Sequence, residues 1–452
     1  MNKTDLAFSA LAFLGGENWT HIKKNILNCQ YSDESHIEMN QLKMLKKVLI
    51  HAYENVPFYK NHFDACLFNP YIFSTIQEIE KIPVISKDDV NKNRPLFLSQ
   101  SRINYHPKIH RTGGTTGTAF EYIVDKKAWL FGHAYNLLQL KEVGVKIGKD
   151  CIVVLAGGSL SPQSGLTLSK KVWGWIMGYH YVPITHMTDD SMLRLFQMIT
   201  ERKIHYMRGY PSAIYTFAKY LKEQELFLPL KAIFTTAEML YPYHRELFRE
   251  IFQCEVFDQY GCADGSPHAL DCEKHNGLHI SPLTSILQVV DKHGKEVEAG
   301  VEGDIVATSL NNYTMPLIRY APGDRAIKSS KGCTCGKTTR LLEKVIGRVS
   351  DVIEFSNGIR LNGLSIPFED FPGERIKLFQ LVQVERDKLE FNVVIKNGFM
   401  PEDEENILTL LRYHCGKDVE IFFNYVDSIE LPSSGKMRYI ISRINDKVHE
   451  KN

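Results

Sequence analysis

The stretch Arg111-Thr112-Gly113-Gly114-Thr115-Thr116-Gly117-Thr118 contains three glycines and four threonines in eight residues. Glycine adopts positive φ at little cost, so successive backbone N–H groups of such a stretch can turn toward one anion. The threonine hydroxyls add further hydrogen-bond donors. The stretch therefore predicts a phosphate-binding loop. A surface turn, for which Gly and Thr are also typical, is the alternative.

The phosphate loop is followed by a predicted strand and not by a helix. Phe120, Tyr122 and Val124 alternate with Glu121 and Ile123, which gives β-branched and aromatic residues the period of a strand. No Gly-Lys-Ser or Gly-Lys-Thr ends the loop, so it differs from a Walker loop, which opens a helix. We therefore expect a phosphate loop between two strands.

Length and composition indicate a globular protein of two or three domains. The chain has 452 residues, of which 44% are hydrophobic and 24% charged, and its formal net charge is +1. A net charge this small gives no global field that would attract nucleic acid or an acidic membrane. Neither is therefore an expected partner, and the oligomeric state is left open.

The cysteines and the N-terminus predict a cytoplasmic protein. Nine cysteines, an odd number and mostly scattered, favour a reducing compartment over a disulfide framework. The segment 6–14 is as apolar as the core of a signal peptide, but Asp5 precedes it and Gly15-Gly16-Glu17 is a poor cleavage region. No run of residues approaches the roughly 18 apolar positions that a membrane-spanning helix needs.

Elements that alternate between strand and helix follow the phosphate loop. The segment 151–156 is a continuous apolar run, which is typical of a strand buried on both faces of a parallel sheet. The predicted elements are helix 128–143, strand 151–156, helix 191–199, strand 204–207, helix 211–221, strand 230–235 and helix 243–252. This alternation predicts an α/β domain with a mostly parallel sheet, whose ligands bind at the loops 208–212, 236–240 and 258–264.

Helical signals also precede the phosphate loop. Apolar residues recur at helical spacing through the segment 36–64, and Asn55-Val56-Pro57-Phe58-Tyr59 is a stop signal within it. Ser86 is typical of the N-cap of a following helix.

The last third of the chain predicts first a β subdomain and then a separate small domain. Strands are predicted at 287–291, 303–309, 316–320, 351–355, 359–361, 378–385, 389–395 and 419–426, and a helix at 401–415. Asn357-Gly358 is a strong hairpin signal between two of these strands. The predicted fold class is α/β, with a large N-terminal domain over residues 1–346 and a small C-terminal α+β lid domain over residues 347–452.

Five stretches, taken in order, resemble the adenylate-forming superfamily and specifically its phenylacetate-coenzyme A ligase and CapK-like branch. They are the phosphate loop, Asp258-Gln259-Tyr260-Gly261-Cys262-Ala263-Asp264, Met315-Pro316-Leu317-Ile318-Arg319-Tyr320-Ala321-Pro322-Gly323-Asp324, Gly347-Arg348 and Ser433-Ser434-Gly435-Lys436. The resemblance covers nearly the whole chain and implies that residues 1–346 form an AMP-binding domain. It implies further that ATP activates a carboxylic acid to an acyl-adenylate, and that the acyl group usually passes to coenzyme A.

The resemblance also implies roles for individual residues. Lys436, Arg348 and Asp264 match catalytic positions, and the Asp264 carboxylate is suited to hold Mg²⁺. The Asp324 carboxylate is suited to accept hydrogen bonds from the ribose diol, and the Tyr260 ring to face adenine. The nucleotide-binding positions are Thr112, Gly113, Gly114, Thr115, Thr116, Gly117, Thr236, Ala237, Glu238, Asp258, Gln259, Tyr260, Gly261, Asp324 and Arg348.

Ala263 departs from the family pattern, because relatives usually carry a hydroxyl at this position that touches the α-phosphate. Three functions therefore stand side by side. The leading one is a coenzyme A ligase; the second is an adenylating enzyme with another acceptor, as in capsule-associated and coenzyme F390 synthetase-like relatives. The third is an ATP-binding protein whose catalysis has decayed, against which the retention of Lys436 and Asp324 weighs.

The acid is predicted only as a class. By resemblance, the acyl pocket lies near the loops after residues 132, 208, 236 and 260, where the chain offers Tyr135, Tyr210 and Met239. These side chains favour an apolar or aromatic acid, although tyrosines also line many structural cores.

A cluster of cysteines and histidines predicts a structural zinc site. Cys333 and Cys335 lie in a glycine-bounded turn, and Cys272 and His279 lie in the segment 272–279. Thiolate and imidazole ligands suit tetrahedral zinc, and four protein ligands leave no open position for catalysis. His275 is the alternative fourth ligand, and ordinary buried free cysteines are the alternative to a metal.

Overall fold

The computed structural model describes most of the chain. The described residues are 2–101, 103–111, 120–156, 168–183, 188–262, 264–348, 353–357, 359–361, 371–372, 375–430 and 437–444. Several predicted positions lie outside them, namely the phosphate loop from Thr112 to Gly117, Ala263, the segment 349–352 and Lys436.

An N-terminal group of helices precedes the phosphate loop. They are α1 (Lys3–Leu14), α2 (Trp19–Gln30), α3 (Glu34–Asn55), α4 (Pro57–Ala65) and α5 (Lys87–Asn93). The helical segment predicted at 36–64 is two helices, because Pro57 has no N–H to donate and begins the second one. The predicted cap is confirmed, since the Ser86 hydroxyl accepts from the Asp89 N–H at 3.2 Å.

Two short antiparallel strands flank the phosphate loop. They are β1 (Lys108–Arg111) and β2 (Glu121–Val124), and Arg111 pairs with Glu121 at the ends nearest the loop. The predicted strand after the loop is therefore confirmed. Phe120, Tyr122 and Val124 face a core that they share with α3 and α4.

A large mixed sheet forms the centre of the N-terminal domain. Its strands are β3 (Ile152–Ala156), β4 (Tyr179–Pro183), β5 (Tyr206–Gly209), β6 (Ala232–Thr236), β7 (Glu255–Gly261), β8 (His268–Leu270), β9 (Leu278–Ile280), β10 (Ser285–Val290), β11 (Glu302–Ser309), β12 (Asp324–Lys328) and β13 (Leu341–Arg348). Within the described residues their order is β10-β11-β12-β13-β9-β8-β7-β6-β5-β3-β4. In this spatial order, neighbouring strands in the half β7-β6-β5-β3-β4 are parallel. Neighbouring strands in the half β10-β11-β12-β13-β9-β8-β7 are antiparallel. The predicted β subdomain therefore continues the same sheet.

Helices cover both faces of the parallel half. They are α6 (Lys126–Glu142), α7 (Leu168–Met177), α8 (Asp189–Glu201), α9 (Pro211–Glu223) and α10 (Pro242–Phe252). Neighbouring strand residues separate into two cores, because successive side chains of a strand point to opposite faces. Met207 packs with α8, α9 and α10, whereas Tyr206 packs with α1, α2 and α6.

The strand predicted at 316–320 is wrong. Apart from two isolated bridges at Tyr320, the segment makes no ladder, and Arg319 has a φ of 49° that no extended strand has. The buried Arg319 side chain explains this conformation, since it donates to the carbonyl oxygens of Glu80, Ile82 and Gly294. Arg319 thus joins the segment to the α4–α5 connection.

The C-terminal domain is a small α+β unit. It contains β14 (Ile353–Glu354), β15 (Arg360–Leu361), β16 (Ile376–Glu385), β17 (Lys388–Ile395), α11 (Pro401–Cys415), β18 (Glu420–Tyr425) and β19 (Ile440–Ser442). The predicted hairpin and helix are confirmed, and the larger sheet has the order β18-β17-β16-β19. Its core includes Tyr241 and Tyr243 of the large domain, so the two domains pack against each other.

No helix among the described residues combines the length and the apolar character that crossing a bilayer requires.

Candidate active site and candidate metal centre

Three predicted nucleotide-side residues meet at one edge of the large sheet. Asp324 begins β12 and pairs in register with Arg348, which ends β13. The Tyr260 hydroxyl on β7 donates to Asp324 Oδ2 at 2.9 Å. Burial, reinforced by Asp324, raises the pKa of Tyr260 well above its usual value, so this phenol is a donor at neutral pH. The fold therefore brings Asp324 next to Tyr260, 64 positions away in the chain, and opposite Arg348, 24 positions away.

Asp264 lies in a buried polar network next to this edge. Its side chain is 2% exposed, and the Tyr320 hydroxyl donates to Oδ2 at 2.7 Å. Lys87 Nζ lies 3.9 Å from the same oxygen, and the Cys262 thiol donates to the other. A cation bound by Asp264 would therefore compete with Lys87 for Oδ2.

The predicted adenine-side loop follows β6 and contacts the C-terminal domain. Ala237 has a φ of 71°, which turns the chain sharply after Thr236. The Glu238 carboxylate accepts from the Ser212 N–H at 3.0 Å and from the Met437 N–H at 2.8 Å. Because Met437 follows Lys436, the second contact brings the backbone next to the predicted catalytic lysine against this loop.

Asp258 and Gln259 make internal hydrogen bonds within the sheet region. The Thr235 hydroxyl donates to Asp258 Oδ1 at 2.7 Å, and burial raises the pKa of Asp258 to about 6. The Gln259 amide donates to Gln139 on α6, and its oxygen accepts from Arg208 at 2.8 Å. Both side chains thus support neighbouring elements in this structure.

The three predicted substrate residues lie in different surroundings. Tyr135 is 1% exposed, and its hydroxyl accepts from the Leu283 N–H at 3.2 Å. Tyr210 is fully buried at the start of α9, within the core formed by α8, α9 and α10. Met239 packs against the core of the C-terminal domain. The structure therefore gives the two tyrosines core positions.

The sequence interpretation missed Arg208, His133 and His268. Arg208 lies near the end of β5, His133 lies on α6, and His268 begins β8. The spacing of Tyr206 and Arg208 could have predicted the position of Arg208, because residues two apart in a strand lie on the same face of the sheet. That face is the one that α6 covers.

The predicted zinc ligands converge at the antiparallel half of the sheet. One ligand atom from each of Cys272, His279, Cys333 and Cys335 lies within 4.8 Å of all the others. Cys272 Sγ is 3.6 Å from Cys333 Sγ, and Cys335 Sγ is 3.3 Å from His279 Nε2. Such separations suit four ligands around one zinc ion, given Zn–S bonds of about 2.3 Å.

The surroundings of the two histidines differ. His279 Nδ1 lies 2.9 Å from Thr339 Oγ1, which leaves Nε2 directed at the cysteines. His275 Nδ1 lies instead 2.7 Å from Asp271 Oδ2, and its Nε2 lies 3.3 Å from Glu255. His279, and not the alternative His275, therefore belongs to the cluster.

Comparisons with known proteins agree with this geometry. Residues 165–314 match the family model of the AMP-binding enzymes, and residues 356–443 match that of the CapK C-terminal domain. Protein CapK of Staphylococcus aureus is 25% identical over 383 residues, which cover 82% of this chain and 81% of that protein. The phenylacetate-coenzyme A ligase of Thermus thermophilus is 25% identical over 329 residues, which cover 69% of this chain and 70% of that enzyme.

A solved structure shows the same fold over nearly the full length. It is 2-hydroxyisobutyryl-CoA ligase in the postadenylation state, with a TM-score of 0.73 at 18% identity over 94% of this chain and 93% of that chain. The two family models match part of the large domain and then most of the small one. The chain belongs to the adenylate-forming superfamily, in the branch of the phenylacetate-coenzyme A ligases and CapK.

Proposed function

We propose that the protein uses ATP to activate a carboxylic acid to an acyl-adenylate, with release of pyrophosphate, and then transfers the acyl group to coenzyme A. The observation that carries this proposal is the meeting of Tyr260, Asp324 and the backbone of Arg348 at the sheet edge. These residues match the nucleotide-binding positions of the superfamily to which the chain belongs.

The nucleotide is proposed to bind across this edge. Asp324 accepts hydrogen bonds from the ribose hydroxyls, and Tyr260 both fixes the Asp324 carboxylate and faces adenine. The segment 236–238 lines the adenine side, and the phosphate loop with Thr112, Thr115 and Thr116 holds the phosphates.

A magnesium ion is proposed to accompany ATP, with Asp264 as its protein ligand. Mg²⁺ needs only one or two carboxylates when phosphate and water complete its shell. Lys87 lies 3.9 Å from Asp264 and keeps the buried carboxylate paired when the metal is absent. When bound, the ion supplies positive charge to the phosphates.

The C-terminal residues 347–452 are proposed to act as a lid on the N-terminal residues 1–346. The hydrogen bond from the Met437 N–H to Glu238 supports a role for Lys436 in adenylate formation. An ammonium there would neutralise charge that develops between carboxylate and α-phosphate. A rotation at Ser350 or Asp351 would then withdraw Lys436 and admit the acceptor thiol.

Pyrophosphate exchange into ATP, screened across carboxylic acids with the full chain, tests the first half-reaction. Exchange followed by thioester formation with coenzyme A supports the proposal. Exchange without thioester would favour a different acceptor, a second candidate to which the CapK C-terminal domain match lends support. Failure of every acid to support exchange would refute adenylate formation.

We also propose that Cys272, His279, Cys333 and Cys335 bind a structural zinc ion. The mutual distances within 4.8 Å and the Thr339 contact to His279 support it. The ligands come from the β8–β9 connection, from β9 and from the β12–β13 connection. The ion would therefore join two antiparallel strand pairs, and a closed four-ligand shell has no catalytic position.

A further inference from the structure

Arg208 and the two neutral histidines His133 and His268 form a cluster on the face of the large sheet that α6 covers. Arg208 projects from β5 on the face that α6 covers, since it lies two residues after Tyr206. It pairs in register with Phe234 on β6, two residues before Thr236. At the rise of a strand, roughly 7 Å along the sheet therefore separates Arg208 from the adenine-side loop.

The Arg208 guanidinium is held by a neutral partner. One terminal nitrogen donates to Gln259 Oε1 at 2.8 Å, and Gln259 in turn donates to Gln139. Nε of Arg208 is buried and has no hydrogen-bond partner among the described residues. The guanidinium has five N–H donors, so donors remain for a ligand.

The two histidines extend the cluster toward α6. The His268 ring lies against the helix backbone, since a Cβ added at Gly132 would come within 3.2 Å of its Cε1. His133 lies beside the Trp129 ring, with their centroids 4.1 Å apart. Burial, with a further contribution from the charge of Arg208, lowers the pKa of both imidazoles, that of His133 to about 3. The histidines are therefore neutral, and Arg208 is the cation of the cluster.

No carboxylate of the described residues forms an ion pair with Arg208. Because Arg208 is partly buried and has no counter-ion among the described residues, an anion beside it would gain charge-assisted hydrogen bonds.

We propose that the acid activated by this protein is a short dicarboxylic acid, whose second carboxylate binds Arg208 while the first meets ATP. This inference rests on the proposed function, because it makes the cluster the far end of the acyl site. The planar guanidinium fork suits a carboxylate, and Arg208 is the residue of the cluster that would donate to it. The distance to the adenine-side loop matches a chain such as that of glutarate or adipate.

The experiment compares acids of equal chain length in pyrophosphate exchange with the full chain. Glutarate is matched with valerate and adipate with hexanoate, and phenylacetate represents the aromatic acids. We expect kcat/KM for the better dicarboxylate to exceed that for its matched monoacid at least about 10-fold. Arg208→Gln should lower the dicarboxylate value about 10- to 100-fold, as for lost charge-assisted hydrogen bonds, and the monoacid value less than about 3-fold.

Arg249→Gln, on the exposed side of α10, is the matched control and should leave both values unchanged. A wild-type preference for valerate, hexanoate or phenylacetate would overturn the inference and leave the proposed function intact. An equal loss for both acids in Arg208→Gln would make Arg208 a structural residue and would also overturn it. If the variant does not fold, the wild-type comparison and Arg208→Lys decide, because lysine keeps the charge without the fork.

Failure of all these acids to support exchange would count against the proposed function, and direct binding then separates the two proposals. Calorimetry with glutarate and valerate in the presence of ATP uses the wild-type chain and Arg208→Gln. Binding of glutarate that Arg208→Gln abolishes would support the acyl-site assignment without catalysis. Absence of glutarate binding would overturn it.

Discussion

Replacing Asp324 by alanine should have two effects that can be measured separately, one on ATP binding and one on the stability of the fold. In the ATP complex the Asp324 carboxylate is expected to accept from the ribose hydroxyls, and in the structure it accepts from the Tyr260 hydroxyl at 2.9 Å. A hydrogen bond to a charged group contributes about 1.5–3 kcal/mol, so one lost ribose bond should raise the Kd of ATP about 10- to 100-fold. The Tyr260 hydroxyl also loses its acceptor, which should lower the free energy of unfolding by about 1–3 kcal/mol.

Calorimetric ATP titration and urea unfolding measure these two effects on the same variants. Tyr260→Phe is the matched control, because it removes the hydroxyl and keeps the carboxylate for the ribose. It should change the Kd of ATP less than Asp324→Ala does. An ATP affinity of Asp324→Ala within about twofold of wild type, far below the effect of one charged hydrogen bond, would refute the ribose assignment.

Three further outcomes are expected. Cys333→Ser should lose the zinc found by metal analysis of purified protein, whereas Cys254→Ser, outside the cluster, should keep it; equal zinc in both variants would contradict the site. Lys436→Ala should slow adenylate formation about 10²- to 10³-fold and still consume chemically made acyl-adenylate; equal loss of both half-reactions in a folded variant would contradict the lid assignment. Because burial raises the pKa of Asp258 to about 6, the folded chain favours its neutral form, and that stability is lost as pH rises through this pKa. Relative to Asp258→Asn, the wild-type free energy of unfolding should therefore fall between about pH 4 and pH 6, and parallel pH curves in urea unfolding would contradict this.

Periodicity predicted β3, β5 and β6 of the parallel half of the sheet. The run 152–155 is buried on both faces, and such strands leave a continuous apolar signal in the sequence. The amphipathic helix Pro401–Cys415 was equally clear, because its apolar and acidic faces alternate with the helical period. By contrast, β4, β7 and α7 were missed. The β4 strand Tyr179–Pro183 mixes aromatic and polar residues at the edge of the sheet.

The local sequence pattern gave a wrong prediction where a tertiary contact determines the backbone conformation. Met315-Pro316-Leu317-Ile318 has the composition of a strand, but Arg319 turns back to reach three carbonyl oxygens of other segments. A long-range contact also determines the surroundings of Tyr135, whose hydroxyl accepts from the Leu283 N–H, 148 positions away. A sequence gives residue types, and only the fold decides whether a tyrosine faces a ligand or a backbone amide.

The proposed zinc ligands and the proposed nucleotide edge lie at opposite ends of β13. His279 pairs with Leu341 at the start of β13, and Arg348 at its end pairs with Asp324. Cys333 and Cys335 lie in the connection that delivers the chain from β12 into β13. A closed metal shell would therefore fix the register of the strand that leads into the lid. The metal would act on catalysis only by holding Asp324 and Arg348 opposite each other, which is the role of a structural and not a catalytic zinc ion.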